Sequence, residues 1–126
     1  MVIRKTYTIN SSISKVWDTL VNPKEIDGWG AGPAKMDGKV GTVFSLWGGD
    51  IHGKNIEVDA PKKLVQEWIS GDWGKPSIVA FELSESDGKT EVKLTHEKYP
   101  EEEHNDLSGG WDDFYFDPIK EYLEKS

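Results

Sequence analysis

The residue with the clearest capacity for chemistry in this sequence is His96, which ends the alternating segment Thr90–His96. Strand alternation puts His96 on the same face as Val92 and Leu94, so its imidazole should point into the protein. An inward imidazole could donate a hydrogen bond to a ligand or act as a general base. It could equally be a structural hydrogen-bonding group, and the sequence leaves both roles open.

A second histidine, His52, lies on the predicted strand Ile51–Asp59. Strict alternation places it on one face with Ile56 and Val58, which could bring it to the same interior. The adjacent Gly53 is typical of a bend or bulge, so the phase of this strand depends on whether a bulge is present.

Other reactive side chains do not form a recognisable catalytic or metal-binding set. The acidic segment Glu101–Asp106 contains His104 but no second histidine at ligand spacing, which favours a solvated surface over a metal site. Asp112 and Asp113 are adjacent on a predicted helix and point in different directions. The sequence contains no cysteine and no serine in a nucleophile-elbow motif. We therefore expect no metal, no cofactor and a binding protein rather than an enzyme.

The elements that position these residues follow an α+β order. Val2–Asn10 alternates as a half-buried strand, and capping signals within Asn10–Ser12 and at Asn22 followed by Pro23 predict two short helices. Strand patterns separated by turn signals then predict an antiparallel meander. The predicted strands are Ala34–Asp37, Thr42–Trp47, Ile51–Asp59, Lys63–Ser70, Ser77–Ser84 and Lys89–Glu97.

The chain ends in a predicted amphipathic helix that begins near Ser108 and runs to Glu124. Three- and four-residue spacing gives this helix one aromatic face that must lie against the sheet. The face comprises Trp111, Tyr115, Ile119, Tyr122 and Leu123. Pro118 either kinks the helix and opens a cavity entrance or starts a second helical segment after Asp117.

Composition limits the function classes. A chain of 126 residues fits one domain spanning residues 1–126. Its net charge of -8 argues against nucleic acid and anionic membranes as partners. No apolar run reaches membrane-spanning length and the first residues lack a signal-peptide pattern, so we expect a soluble cytoplasmic protein, as a monomer or a homodimer.

Several short motifs, spread in order over the chain, resemble the START-like (SRPBCC) helix-grip superfamily. Within it the chain is most similar to the AHSA-type branch, named for the C-terminal domain of the activator of the heat-shock protein 90 ATPase. The motifs are Ile13–Pro23 with Trp29, Gly41–Phe44, Ala60–Val65 with Trp68, Thr90–His96 and Gly110–Trp111. The resemblance implies a curved antiparallel sheet around a long C-terminal helix, with an apolar cavity or tunnel between them.

Binding of a small hydrophobic or aromatic ligand in that cavity, without chemistry, is the leading functional hypothesis. One alternative is a protein-interaction or co-chaperone-like module of the stress response, acting through the acidic surface or an exposed Trp73. Another is a lyase, cyclase or hydrolase with His96 as base. In the first hypothesis Tyr115 and His96 orient the ligand and Trp29 lies near the entrance. The predicted cavity lining is Trp17, Trp29, Phe44, His52, Ile56, Trp68, Phe81, Leu94, His96, Trp111 and Tyr115.

Overall fold

A curved, fully antiparallel sheet with strand order β1-β6-β5-β4-β3-β2 forms one layer of the protein. The computed structural model describes residues 2–71 and 73–124. The strands are β1 (Val2–Ile9), β2 (Val43–Leu46), β3 (Ile51–Asp59), β4 (Lys63–Ser70), β5 (Ser77–Ser86) and β6 (Lys89–Glu97). The helices are α1 (Ile13–Val21), α2 (Pro23–Trp29), α3 (His104–Gly110), a π-helical segment (Trp111–Phe116) and α4 (Asp117–Glu124).

The two short helices begin at the predicted caps. The Ser12 hydroxyl accepts from the backbone N–H of Lys15, and the Asn22 side chain accepts from the N–H of Lys24. Each bond satisfies a backbone donor that the first helical turn leaves unpaired. Gly30 ends α2 in the left-handed region, at φ 112°, which a glycine adopts without strain.

The β5–β6 hairpin confirms the predicted faces of the last two strands. Asp87 and Gly88 both have positive φ, as a tight two-residue turn requires. The resulting register pairs Phe81 with Leu94, and both are buried. His96 is completely buried, so its inward orientation is confirmed.

Two sequence predictions about the sheet are wrong. Ala34–Asp37 is not a strand, because only Lys35 forms an isolated bridge, to Ser45, so the described residues form six strands rather than seven. The predicted phase of β3 is also wrong. The register against β4 shifts between Asn55 and Glu57, where the extra residue of a bulge reverses the alternation.

The bulge moves His52 and Ile56 to the outer face of the sheet. His52 is exposed and Ile56 is 38% exposed, whereas Asn55 is completely buried. Val58, which follows the bulge, is half-buried on the inner face, whereas His52, which precedes it, is exposed on the outer face. His52 and Ile56 therefore do not belong to the interior that the sequence predicted for them.

The C-terminal helix, residues 104–124, starts earlier than predicted and contains a wide π-helical turn. In this turn the N–H of Asp117 bonds to the carbonyl of Asp112, five residues back. The wider turn lets the adjacent Tyr115 and Phe116 both be buried, and Phe116 was not predicted. Pro118 occupies the second position of α4, so its missing N–H falls at the junction where the helix changes from π-helical to α-helical hydrogen bonding.

Aromatic rings fill most of the space between the C-terminal helix and the sheet. Trp111 stacks on Trp68 with centroids 4.7 Å apart. The ring centroid of Phe81 lies 6.0 Å from that of Tyr115 and 6.2 Å from that of Phe116. Because side chains occupy its centre, the interior is a packed core, and open space is found around the margins of the helix.

Candidate functional site

An open cleft of about 290 Å³ separates the first half of the C-terminal helix from strands β3 and β4. Aromatic and aliphatic side chains form most of its surface, which is typical of a small-molecule site. Its lining residues are Trp47, Asp50, Ile51, Trp68, Ser70, Asp106, Leu107, Gly110, Trp111, Phe114 and Tyr115.

Trp47 forms one wall and is held in an unusual backbone conformation. It directly follows β2 and has φ 50°, a left-handed value that is a genuine outlier for a bulky residue. Its indole Nε1 donates to the carbonyl of Gly30 at 3.0 Å, and its ring meets Trp29 edge-on at 6.3 Å. These contacts to α2 hold the indole at the cleft despite the backbone strain.

Trp68 forms part of the cleft floor and is held by a chain of buried amides. Its Nε1 donates to Oε1 of Gln66 at 2.9 Å, and Nε2 of Gln66 donates to Oδ1 of Asn55 at 3.0 Å. The Asn55 amide in turn donates to the carbonyls of Asp37 and Lys39. This series of hydrogen bonds gives each of these buried polar atoms a partner and connects the bulge in β3 to the cleft.

His96 lies behind the other floor indole, Trp111, and does not line the cleft. The Trp111 N–H donates to Nδ1 at 3.1 Å, so the proton of the neutral ring is on Nε2, which bonds to the Ser77 hydroxyl at 2.8 Å. That hydroxyl donates to the carbonyl of Trp68 at 2.9 Å. Burial lowers the pKa of His96 to about 4. With both ring nitrogens engaged and no exposed surface, the ring fits a structural role and offers no lone pair to a substrate.

Carboxylates supply the charge at the mouth of the cleft. Asp50 and Asp106 are both exposed, and Ser70 and Tyr115 add uncharged hydroxyl groups to the lining. No Lys, Arg or His is among the lining residues, and neither carboxylate forms an ion pair within the described chain. Phe114 stands beside them with 68% of its surface exposed.

Of the predicted cavity residues, the structure brings three to the cleft: Trp68, Trp111 and Tyr115. Trp29 is buried behind Tyr115, with ring centroids 4.8 Å apart, and its edge lines a separate surface depression beside Pro118 rather than this cleft. The cleft also opens away from Pro118, which is not part of its lining.

The remaining predicted residues lie elsewhere. Phe44 is buried beside Gly53, and Trp17 is buried near Val21 and Gly38. Trp73 is half-buried against the core, so the prediction of an exposed Trp73 is wrong. The other predicted lining residues are part of the packed core or of the outer sheet face: Phe81, Leu94, His96, His52 and Ile56.

The sequence interpretation missed the cleft residues on α3 and Trp47. Leu107, Gly110, Trp111 and Phe114 recur at three- and four-residue spacing, so the helical period extended towards residue 104 would have found them. No local pattern signals Trp47, because its position depends on the contact with α2.

Neither a metal site nor a membrane helix is found in residues 2–71 and 73–124. No three His, Asp or Glu side chains there are grouped so that they could hold a metal ion. None of the helices formed by these residues has the length and apolarity needed to cross a bilayer.

Comparison with known proteins identifies the family. The family described as "Activator of Hsp90 ATPase homolog 1-like protein" matches residues 10–124. The activator of 90 kDa heat shock protein ATPase homolog of Dictyostelium discoideum is 31% identical over 108 residues, which cover 82% of this chain and 28% of that protein. The chain spans between 27% and 38% of the length of the curated relatives that it matches.

Solved structures agree with this match. The crystal structure of PFC0360w, an HSP90 activator from Plasmodium falciparum, has a TM-score of 0.90 and 26% identity, covering 98% of this chain and 96% of that one. The Aha1 dimer from Colwellia psychrerythraea has a TM-score of 0.85 with 98% and 96% coverage, and at 19% identity it shows the fold alone. The chain therefore belongs to the activator of Hsp90 ATPase homolog 1-like family, within the START-like helix-grip superfamily.

Proposed function

We propose that this chain is a non-catalytic binding domain that takes a small apolar or aromatic molecule in the cleft beside the C-terminal helix. The observation that carries the proposal is the open cleft of about 290 Å³ with an aromatic floor and wall. This volume lies close to the lower end of the range found for small-molecule sites.

Pre-organisation of the cleft supports binding. Hydrogen bonds fix the indoles of Trp47, Trp68 and Trp111 before any ligand arrives. A rigid aromatic surface loses little side-chain entropy when it is covered, so contact with a ligand contributes more fully to affinity. Engagement of both His96 nitrogens favours binding over catalysis.

The test is a titration with 2-phenylethanol, a neutral aromatic probe, followed through the tryptophan indole N–H signals by NMR. We expect the signals of Trp47, Trp68 and Trp111 to shift, and that of Trp17, which lies outside the cleft, to stay in place. Absence of any shift at millimolar probe, or a shift confined to Trp17, would overturn the proposal.

A pair of glycine variants sharpens the test. Gly110 lines the cleft, and Gly110→Leu should fill it and abolish the shifts. Gly109 is exposed on the same helix, and no atom lies within 4 Å of a Cβ placed there, so Gly109→Leu is the matched control. Equal probe binding by the two variants would contradict a site in this cleft.

A second candidate is a co-chaperone-like module that binds an Hsp90-type ATPase. It is supported by the likeness to the Plasmodium falciparum HSP90 activator over nearly the whole of both chains. Phe114, with 68% of its surface exposed on the C-terminal helix, is a suitable apolar anchor for a protein partner.

The test of this second function is the ATPase rate of the Hsp90 from the same organism with and without the domain. We expect a raised rate that Phe114→Ala reduces and Val43→Ala does not, since Val43 is 71% exposed on strand β2. An unchanged ATPase rate together with no binding in sedimentation would exclude the co-chaperone function.

A further inference from the structure

We propose that the cleft selects an organic cation, a small molecule with a protonated or quaternary amine on an apolar body. The inference rests on the proposed ligand-binding function and specifies its ligand class. It follows from the combination of aromatic rings and carboxylates in one cleft without a basic side chain.

The rings offer a surface suited to a cation. Trp47 and Phe114 provide accessible ring surface at the wall and mouth, whereas Trp68, Trp111 and Tyr115 form a nearly buried floor. A cation over an aromatic face is attracted by the negative quadrupole of the ring, and tryptophan is the strongest partner. Indoles on more than one side of the cleft let an ammonium group contact ring faces while its apolar body packs against the same rings.

The charges in the cleft all have one sign. Asp50 lies on the strand side of the mouth and Asp106 on the helix side, so a bound amine would lie between two carboxylates. Neither carboxylate is neutralised by a Lys or Arg of the described chain. A cationic ligand would supply that missing countercharge, and its electrostatic gain would be partly screened because both carboxylates are exposed.

An anionic ligand fits this cleft poorly. A carboxylate or phosphate would face Asp50 and Asp106 with no basic lining side chain to compensate the repulsion. The net charge of -8 adds a long-range field that concentrates cations and repels anions at low ionic strength. The charge of the cleft and the net charge of the protein therefore both favour a cationic ligand.

The test compares three probes that share one phenyl ring: 2-phenylethylamine as the cation, 2-phenylethanol as the neutral molecule and 3-phenylpropanoate as the anion. Affinities are measured at pH 7 in low and high salt from the indole signals of Trp47 and Trp111. We expect the cation to bind about tenfold more tightly than the alcohol in low salt, and the anion most weakly. Salt should reduce the preference for the cation.

Carboxamide variants assign the preference to the two carboxylates. A double variant that combines Asp50→Asn with Asp106→Asn should bind 2-phenylethylamine more weakly, with an affinity close to that for 2-phenylethanol. Its affinity for 2-phenylethanol should not change. Asp113→Asn is the matched control, because Asp113 is exposed on the same helix outside the cleft. A double variant that retains the full preference would overturn the assignment to these carboxylates.

The outcomes separate this inference from the function on which it rests. Binding of the alcohol as tightly as the amine would overturn cation selectivity and leave the cleft as a site for neutral molecules. Tighter binding of the anion would also overturn it. No indole shift with any probe would overturn the proposed ligand-binding function, and the inference with it.

Discussion

Trp111 and His96 are joined by a buried hydrogen bond in which the indole N–H donates to Nδ1 of the imidazole at 3.1 Å. The bond requires a neutral ring, because protonation would place a second N–H opposite the indole N–H. It couples the C-terminal helix to β6 and holds one floor residue of the cleft in position. The protonation state of His96 therefore affects both the stability of the helix–sheet interface and the shape of the cleft.

Stability should fall as the pH drops from 6.5 to about 4, because the unfolded imidazole takes up a proton in this range and the folded one does not. The loss attributable to His96 should be on the order of 3 kcal/mol in the free energy of unfolding, with no further His96 contribution below about pH 4. Urea denaturation at a series of pH values, compared between the wild type and His96→Gln, measures this contribution.

The His96→Gln variant should be less stable than the wild type at pH 7, by about 1–3 kcal/mol, because the indole N–H of Trp111 loses Nδ1 of His96 as its acceptor. Its pH dependence between 6.5 and 4 should be flatter than that of the wild type. His52→Gln, which removes an exposed imidazole, is the control and should keep the wild-type slope. Parallel pH profiles for the wild type and His96→Gln would contradict this role.

Gln66→Leu should destabilise the protein by about 2–4 kcal/mol, because the Trp68 indole N–H and the side-chain Oδ1 of Asn55 would both lose buried partners. Chemical denaturation followed by tryptophan fluorescence measures the change. Glu67→Leu, on the opposite strand face, is the control and should cost under about 1 kcal/mol. Equal effects of the two substitutions would show that the buried amide chain contributes no specific stability.

Asp112→Asn should weaken the contact between the C-terminal helix and β1. Asp112 accepts from the Tyr7 hydroxyl at 2.7 Å and from Lys5 Nζ at 2.9 Å, and these bonds lower the pKa of its carboxyl. Because the carboxyl is partly exposed, we expect a loss of only about 1 kcal/mol at pH 7, measured by urea denaturation.

The sign of the pH effect follows from the lowered pKa. The stabilisation by Asp112 should be complete above the ordinary carboxyl value of 3.8 and disappear as the pH falls through the lower folded pKa. Asp113→Asn, one residue further along the helix, should change neither the free energy of unfolding at pH 7 nor its decrease at acid pH. A loss of stability in the Asp113 variant equal to that in the Asp112 variant would contradict the assignment.

Gly53→Ala should prevent β2, β3 and β4 from pairing as they do. A Cβ at this position would lie 1.7 Å from the backbone oxygen of Glu67 and 3.1 Å from Phe44 Cζ, so backbone would have to move. We expect a loss of at least about 3 kcal/mol, or no soluble protein. Thermal denaturation of Gly53→Ala measures this loss. Gly74→Ala is the control, because no atom lies within 4 Å of the added methyl group. Similar melting temperatures for the two variants would contradict it.

Much of the fold could be predicted because its signals are local. Cap residues such as Ser12 and Asn22, the Asp87–Gly88 turn and the alternation in β6 each act through neighbours close in sequence. The family resemblance then indicated how the C-terminal helix crosses the sheet. Inward placement of His96 followed from the same alternation and is confirmed.

The cleft depended on features with no local signal. At the bulge, the buried Asn55 side chain donates to the carbonyls of Asp37 and Lys39, which are distant in sequence, and alternation alone therefore placed His52 on the wrong face. Similarly, the role of His96 depended on Trp111 and Ser77, which lie on other elements.

The sequence by itself determined most of the elements, the inward faces of β5 and β6 and the aromatic character of the C-terminal helix. Periodicity and capping act between residues a few positions apart, and they are therefore readable along the chain. Only the tertiary structure decided that aromatic rings fill the centre and that an aromatic-lined cleft opens between α3 and Trp47. That outcome depends on how side chains from distant segments pack together, which no single segment specifies.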